Sequence, residues 1–100
     1  MNQEIIKIET GRTYQANESG MWYHVHDAVI LMQDEKYQIG TKFELFRSFN
    51  WKIIATKTSE NLYEVKVQRE YDARRYRKAS CFASEIGKQV TRMIEEIRGF

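Results

Sequence analysis

Apolar residues recur at steps of three or four positions in the C-terminal part of the chain. The members of this stripe are Phe82, Ile86, Val90, Met93, Ile94 and Ile97. Such spacing is the period of an α-helix and places these side chains along one side of it. We therefore expect an amphipathic helix over residues 80–98, with Ser80 as its N-cap and Gly99 just beyond its C-terminal end. Gly87 within this helix predicts a close approach of a strand backbone.

Three segments upstream of this helix have the pattern of strands: residues 42–47, 51–57 and 62–70. In the third, Tyr63, Val65 and Val67 alternate with polar residues, which is typical of a strand with one buried face. In the first, Phe46 breaks the strict alternation. Short polar turns separate the segments, so we expect a three-stranded antiparallel meander whose one buried face is covered by the C-terminal helix.

The N-terminal part of the chain has a less definite pattern. Residues 4–9 are rich in β-branched residues, with Ile6 and Ile8 on one side and Ile5 and Lys7 on the other, which predicts a short strand. Residues 21–25 fit either a second strand or an apolar segment that leads into a helix. In the second interpretation Asp27 is the N-cap, the helix covers residues 28–38, and Gly40 ends it. The charged residues that follow the apolar run favour the helix.

Together these elements predict one small α+β domain: an N-terminal strand, a helix, a three-stranded antiparallel meander, and a C-terminal amphipathic helix packed on the sheet. A length of 100 residues suits a single domain over residues 1–100, with a core between residues 21 and 98. The chain is 42% hydrophobic and 13% aromatic, which excludes an intrinsically disordered composition. Its longest apolar run, residues 28–32, is too short to span a membrane, so no membrane association is expected.

Cysteine usage points to a reducing compartment. Cys81 is the single cysteine of the chain, so no internal disulfide is possible and a cytoplasmic location is expected. Cys81 lies near the start of the predicted C-terminal helix, where the helix dipole would lower the pKa of its thiol. The more common alternative is a buried structural cysteine.

Positive charge is concentrated in one stretch before the C-terminal helix. The net charge is +2, yet residues 51–100 hold eleven Lys/Arg against seven Asp/Glu. We interpret residues 69–78 as a basic connector whose candidate nucleic-acid-binding residues are Arg69, Tyr71, Arg74, Arg75, Tyr76, Arg77 and Lys78. Guanidinium groups bind phosphate oxygens bidentately, and tyrosine rings stack or donate hydrogen bonds.

The same stretch also has a simpler interpretation. A run of charges is commonly a solvated surface, here partly neutralised by Glu70 and Asp72. If the stretch does bind an anion, Lys52, Lys57 and Lys66 of the predicted meander would extend the basic surface over the open face of the sheet.

The chain has more aromatic residues than a small core requires. We expect Trp22, Phe46, Phe49 and Trp51 to be candidates for contact with a protein partner, either another protein or a second copy in a homodimer. An aromatic-rich core is the alternative.

Two further patterns resemble parts of metal-binding or catalytic sites. His24 and His26 would share one face of a strand, as metal ligands do, but zinc requires at least three ligands. Glu64 and Lys66 resemble half of the acidic-pair-plus-lysine arrangement of metal-dependent nucleases, with Glu44 on an adjacent strand as the other acid. Alternating charges on a solvated strand produce the same pattern. We expect no metal, no cofactor and no enzymatic activity.

The predicted function is that of a non-enzymatic nucleic-acid-contacting or regulatory protein. The alternative is a small protein-binding inhibitor or adaptor, of the accessory type that mobile elements encode, which docks through exposed aromatic residues and a basic rim onto an acidic protein surface. The predicted order of helix, meander and helix resembles that of double-stranded RNA-binding domains. Neither the GPxH-type turn nor the SKKxAK run of that family is present, so no family is assigned.

Overall fold

A five-stranded mixed sheet forms the centre of the protein. The computed structural model describes residues 5–8, 18–47 and 50–98. Its elements, in chain order, are β1 (Ile5–Lys7), α1 (Glu18–Met32), β2 (Lys42–Arg47), β3 (Trp51–Lys57), β4 (Leu62–Arg69), β5 (Asp72–Phe82), a 3-10 turn (Ala83–Glu85) and α2 (Ile86–Arg98). The strands lie side by side in the order of the chain, with β1 parallel to β2 and every later pair antiparallel.

This architecture confirms the predicted small single-domain α+β fold, and it adds one strand to the predicted meander. Both helices cover the same side of the sheet, α1 over β2 and α2 over β4 and β5. We call this side the inward face and the opposite side, which no described helix covers, the open face. Neither of the two described helices has the length and hydropathy of a membrane span.

The core lies between the helices and the inward face. Fully buried residues from the strands include Phe43, Leu45, Ile53, Ala55, Tyr63, Val65 and Val67. The helices contribute two buried stripes, namely Met21, Val25, Ala28 and Met32 from α1, and Ile86, Val90, Met93, Ile94 and Ile97 from α2. The apolar residues that alternate along the strands thus pack against the apolar residues that recur at helical spacing along the helices.

Strands β2, β3 and β4 have the predicted positions, with β4 ending at Arg69 rather than at residue 70. The irregular Phe46 has a structural cause. The register between β2 and β3 shifts between Glu44 and Phe46, which is the mark of a β-bulge. The bulge lets Leu45 and Phe46 both lie towards the helices, and the Phe46 ring meets His24 of α1 edge-on at 5.8 Å.

The boundaries predicted for the first helix are wrong. It begins at Glu18, so residues 21–25 are helical and Asp27 lies within the helix rather than at its N-cap. It ends at Met32 because the Asp34 carboxylate accepts a hydrogen bond from the Lys36 N–H at 3.0 Å, which favours a turn. Gly40, with φ +97°, belongs to a later turn and does not end the helix.

The predicted basic connector is a strand, which is the largest correction to the predicted fold. Residues 72–82 pair along β4, and Ser80 and Phe82 lie in β5 rather than in the helix. Phe82 is exposed, whereas the other five members of the predicted apolar stripe are buried in α2. Gly87 lies in the first turn of α2, and a Cβ added there would meet no heavy atom of another element within 4 Å. The expected close approach of a strand at Gly87 is therefore wrong, and Gly99 lies outside the described residues.

Candidate nucleic-acid interface

The alternation of β5 divides the predicted basic cluster between the two faces of the sheet. Successive side chains of a strand point to opposite faces. Arg75 and Arg77 lie on the inward face, where both contact α2. Tyr76 and Lys78 lie on the open face, opposite Gln68 and Lys66 of β4. The predicted group of neighbouring cations is thus two groups with different surroundings.

The two inward arginines bind the C-terminal turn of α2. Arg75 donates a hydrogen bond from Nη2 to the carbonyl oxygen of Ile97 at 2.9 Å. Arg77 forms an ion pair from Nε to Oε2 of Glu96 at 3.3 Å. Cations at the C-terminal end of a helix interact favourably with the helix dipole and satisfy its terminal carbonyls. Both arginines therefore hold α2 against the edge of the sheet.

Arg69 is also engaged inside the protein. Its guanidinium carbon lies 4.3 Å from the Trp51 ring centroid and 5.7 Å from that of Tyr71, within the range of cation–π attraction. Its Nε is the one buried side-chain nitrogen without a hydrogen-bond partner in the described part of the chain. The Arg98 guanidinium carbon lies 5.8 Å from the Trp51 ring, which therefore has a cation at 4.3 Å and another at 5.8 Å. Trp51 is only 5% exposed and offers almost no surface to a partner.

Two lysines face each other on the open face. Lys66 of β4 lies directly opposite Lys78 of β5, and their ammonium nitrogens are 4.7 and 6.0 Å from the centroid of the Tyr76 ring. Like charges in directly opposed positions destabilise a sheet. Among the described residues, no carboxylate forms an ion pair with either lysine. We call Lys66, Lys78 and the 39% exposed Tyr76 the paired-lysine site.

Further cations lie beside the paired-lysine site on the open face. Lys52 of β3 is opposite Gln68, which in turn is opposite Tyr76. Arg74 has 92% of its side chain exposed and forms an ion pair with Asp72 at 3.2 Å. Hydrogen bonds from the Arg74 backbone N–H and guanidinium lower the pKa of Asp72.

Two residues expected to shape this surface have other roles. Glu70 does not neutralise the basic stretch, because it accepts a bidentate pair of hydrogen bonds from Arg47, at 2.8 and 3.2 Å. This hydrogen bonding lowers the pKa of Glu70 and raises that of Arg47. Lys57 lies on the inward face, is 6% exposed, and donates a hydrogen bond from Nζ to the Tyr37 carbonyl at 3.0 Å. The expectation that Lys57 extends the open basic surface is wrong.

The candidate partner-binding aromatic residues are spread over different environments. Trp22 and Phe46 are half-buried against the core, and Phe49 lies outside the described residues. Helix α1 also has exposed apolar side chains that are not among the predicted partner-binding residues, namely Tyr23, Ile30 and Leu31. The available signal was an apolar helix sequence without a polar side, which predicts apolar exposure unless the helix is fully buried.

The remaining candidate chemical groups do not come together. On a helix, His24 and His26 diverge, so His24 is half-buried beside Phe46 while His26 is exposed. Glu44 is on β2, and β3 separates it from Glu64 on β4, so the expected adjacency is wrong. Within residues 5–8, 18–47 and 50–98, no three His, Cys, Asp or Glu side chains are arranged to hold a metal ion.

Cys81 lies in β5 and not at a helix N-terminus. Its side chain is buried on the inward face, and burial raises the pKa of its thiol, with the nearby Glu85 adding to the effect. The expected lowering of this pKa by a helix dipole is therefore wrong. A buried thiol with a raised pKa is a poor nucleophile at neutral pH.

Comparison of the chain with protein-family models, with curated proteins and with solved structures found no match.

Proposed function

We propose that the open face of the sheet binds the phosphate backbone of a nucleic acid, and that the protein acts by binding rather than by catalysis. The paired-lysine site is the observation that supports this function. Lys66 and Lys78 lie opposite each other on adjacent strands, and among the described residues no carboxylate forms an ion pair with either lysine. Glu64 shares the open face, where it lies opposite Ser80. An external anion between them would convert an unfavourable pair into a favourable three-charge arrangement.

The surroundings of the site favour a polyanion over a single small anion. Lys52 extends the positive surface across Gln68 onto β3, and Arg74, two residues before Tyr76 on β5, adds an exposed guanidinium that is paired with Asp72. Lysine is a flexible point charge that contacts phosphates without reading the base sequence. Tyr76, which is 39% exposed, supplies an aromatic ring and a hydroxyl beside the cations. We therefore expect binding with a strong dependence on salt and little dependence on sequence.

The test is a fluorescence anisotropy titration with labelled duplex DNA, duplex RNA and single-stranded oligonucleotides over a series of salt concentrations. The double variant Lys66→Gln/Lys78→Gln removes the site. For duplex DNA, loss of two phosphate contacts lowers the magnitude of the log–log salt slope by about 1.8. The matched control is Lys36→Gln/Lys88→Gln, which makes the same change in net charge on other surfaces.

The control variant should keep the wild-type slope. Equal slopes for the two double variants would show that only net charge matters, and this result would reject the paired-lysine site. No binding of any of the three nucleic acids at low salt would reject the proposed function itself.

A second candidate function is that of a protein-binding inhibitor or adaptor. The observation that favours it is the apolar exposed side of α1, where Tyr23 is 64% and Leu31 is 44% exposed. Exposed apolar patches commonly mark protein interfaces. The expected partner has an apolar surface with acidic residues around it, to match the basic character of this chain. Tyr23→Ser/Leu31→Ser would then weaken binding of that partner with little dependence on salt, whereas Lys66→Gln/Lys78→Gln would not.

A further inference from the structure

A groove of about 620 Å³ runs between the two helices, on the side of the molecule away from the paired-lysine site. Helix α1 contributes Trp22, Val29 and Ile30, and the N-terminal part of α2 contributes Gly87, Lys88 and Thr91. The α1 residues form an apolar wall, in which Ile30 is 58% exposed. Ligand pockets for small molecules commonly have volumes of about 300–1,000 Å³ and mostly apolar linings.

Gly87 has no role in the fold that would explain the absence of a side chain. Its backbone does not have a positive φ, because Gly40 is the glycine with a positive φ among the described residues. Apart from its chain neighbours and the adjacent backbone of α2, no heavy atom lies within 4 Å of the position of an added Cβ. Glycine also lowers the stability of a helix relative to alanine. The residue leaves open space at the groove, where an external molecule can approach the backbone of α2.

The charges of the residues that line the groove favour a ligand with an anionic group. Lys88 is a cation at its edge, and the exposed imidazole of His26 is a hydrogen-bond donor on the opposite wall. No Asp or Glu is among the described residues that line the groove. The 3-10 turn Ala83–Glu85 continues directly into α2, and the N-terminal end of this helical segment borders the groove through Ala83 and Ser84. The helix dipole makes that end attractive to negative charge. Glu85, in the preceding turn, is not among the residues that line the groove, and its carboxylate accepts a hydrogen bond from the Phe82 N–H at 3.3 Å.

We propose that the groove between α1 and α2 binds a small amphipathic molecule that has an apolar body and one carboxylate. The apolar body lies against Trp22, Val29 and Ile30, over the open space at Gly87. The carboxylate contacts Lys88 at the N-terminal end of α2. This site goes beyond the proposed nucleic-acid function and does not depend on it, since the two surfaces share no residue.

The test uses octanoate as the probe and 1-octanol as an uncharged probe of the same chain length, both below the concentrations at which they aggregate. Binding is followed by calorimetry and by the shifts of backbone amide resonances in a ¹H–¹⁵N NMR spectrum of the ¹⁵N-labelled full chain. Octanoate should shift amides of residues 22–33 and 83–91 and should bind more tightly than 1-octanol.

Two variants separate the apolar and the charged parts of the site. Gly87→Leu fills the open space without meeting another atom near its Cβ, so it should abolish binding of both probes. Leucine is a better helix former than glycine, and thermal unfolding should show that this variant is folded. Lys88→Gln should weaken octanoate binding about two- to fivefold, the range for an exposed charge pair, and leave 1-octanol binding unchanged. Lys36→Gln is the charge-matched control and should bind octanoate as the wild type does.

Three results would overturn the proposal. The first is an absence of octanoate-induced shifts in residues 22–33 and 83–91. The second is octanoate binding that is equally tight in the wild type and in folded Gly87→Leu. The third is a concentration-dependent shift of the groove resonances without any probe, which would show that a second copy of the chain fills the groove.

Discussion

Arg77 and Lys78 are neighbours in the sequence and carry the same charge, but they lie on opposite faces of β5. Arg77 points inward and forms an ion pair with Glu96 of α2. Lys78 points outward, opposite another lysine, and has no ion-pair partner among the described residues. The inward cation is used by the fold, whereas the outward cation is available to an external anion. Basic residues that are close in a sequence can therefore be assigned to one site only when it is known which face of the strand each side chain occupies.

The largest effect is expected on the inward side. Arg75→Ala removes a charged, partly buried hydrogen bond to the Ile97 carbonyl and should lower the free energy of unfolding by about 1.5 kcal/mol. Urea unfolding followed by circular dichroism measures this change. Nucleic-acid affinity at temperatures where the variant is folded should stay within twofold of the wild type. An equally stable Arg75→Ala variant would contradict the structural role of the inward arginines.

The next effect concerns Lys78 on the open face. Lys78→Glu should weaken binding of duplex DNA by at least about eightfold at 0.1 M salt, because one phosphate contact contributes about 0.9 log units there. The same change places opposite charges across from each other and should raise the free energy of unfolding by about 0.2–1 kcal/mol. Anisotropy and urea unfolding on one protein sample measure both changes. A variant that loses stability and affinity together would indicate a structural role for Lys78.

A smaller effect is expected for the ion pair between Arg77 and Glu96. Both side chains are about one-third exposed, at 35% and 38%, so solvent screens their attraction. A double-mutant cycle with Arg77→Gln and Glu96→Gln should give a coupling free energy of about 0.2–1 kcal/mol. The free energies of unfolding of the four proteins are measured by urea unfolding at low and at high salt. The coupling free energy should decrease at high salt. A coupling of zero at low salt would exclude this pair as a link between β5 and α2.

The smallest effect is a pH dependence on the inward side. Burial lowers the pKa of His24 below its ordinary value of 6.5, although Asp27 partly opposes the shift. The unfolded chain therefore binds a proton at a higher pH than the folded chain does. The stabilising contribution is complete above pH 6.5 and is lost as the pH falls from 6.5 through the lowered pKa. His24→Gln should lose less stability than the wild type over this pH range, as measured by urea unfolding, and identical pH profiles would contradict this account.

The parts of the fold with regular patterns were predicted correctly from the sequence. Strands β2 to β4 alternate apolar and polar residues, and α2 has an apolar stripe of helical period, so the strand positions and the buried side of α2 follow from burial alone. The predicted N-cap of this helix at Ser80 is wrong, because α2 begins at Ile86. Helix α1 was misplaced because it is apolar on nearly every side, which leaves its period undefined. Its buried positions Met21, Val25, Ala28 and Met32 do have helical spacing, and this signal was available.

Strand β5 was not predicted because its inward positions include arginines. Arg75 and Arg77 alternate with Tyr76 and Lys78, so polar residues occupy both faces and the usual apolar signal is missing. Long arginine side chains can lie against α2 and still bind its polar groups, a possibility that hydrophobic periodicity does not represent. The division of the basic cluster could therefore be predicted only with the position of α2 known.

The comparison between Arg77 and Lys78 also gives the most direct test of the proposed function. Arg77→Gln and Lys78→Gln change the net charge equally and alter adjacent positions in one strand. Their binding to duplex DNA is measured by anisotropy over the same series of salt concentrations. We predict that Lys78→Gln lowers the magnitude of the log–log salt slope by about 0.9, while Arg77→Gln keeps the wild-type slope. Equal slopes for the two variants, or a loss confined to Arg77→Gln, would contradict the assignment of nucleic-acid binding to the open face.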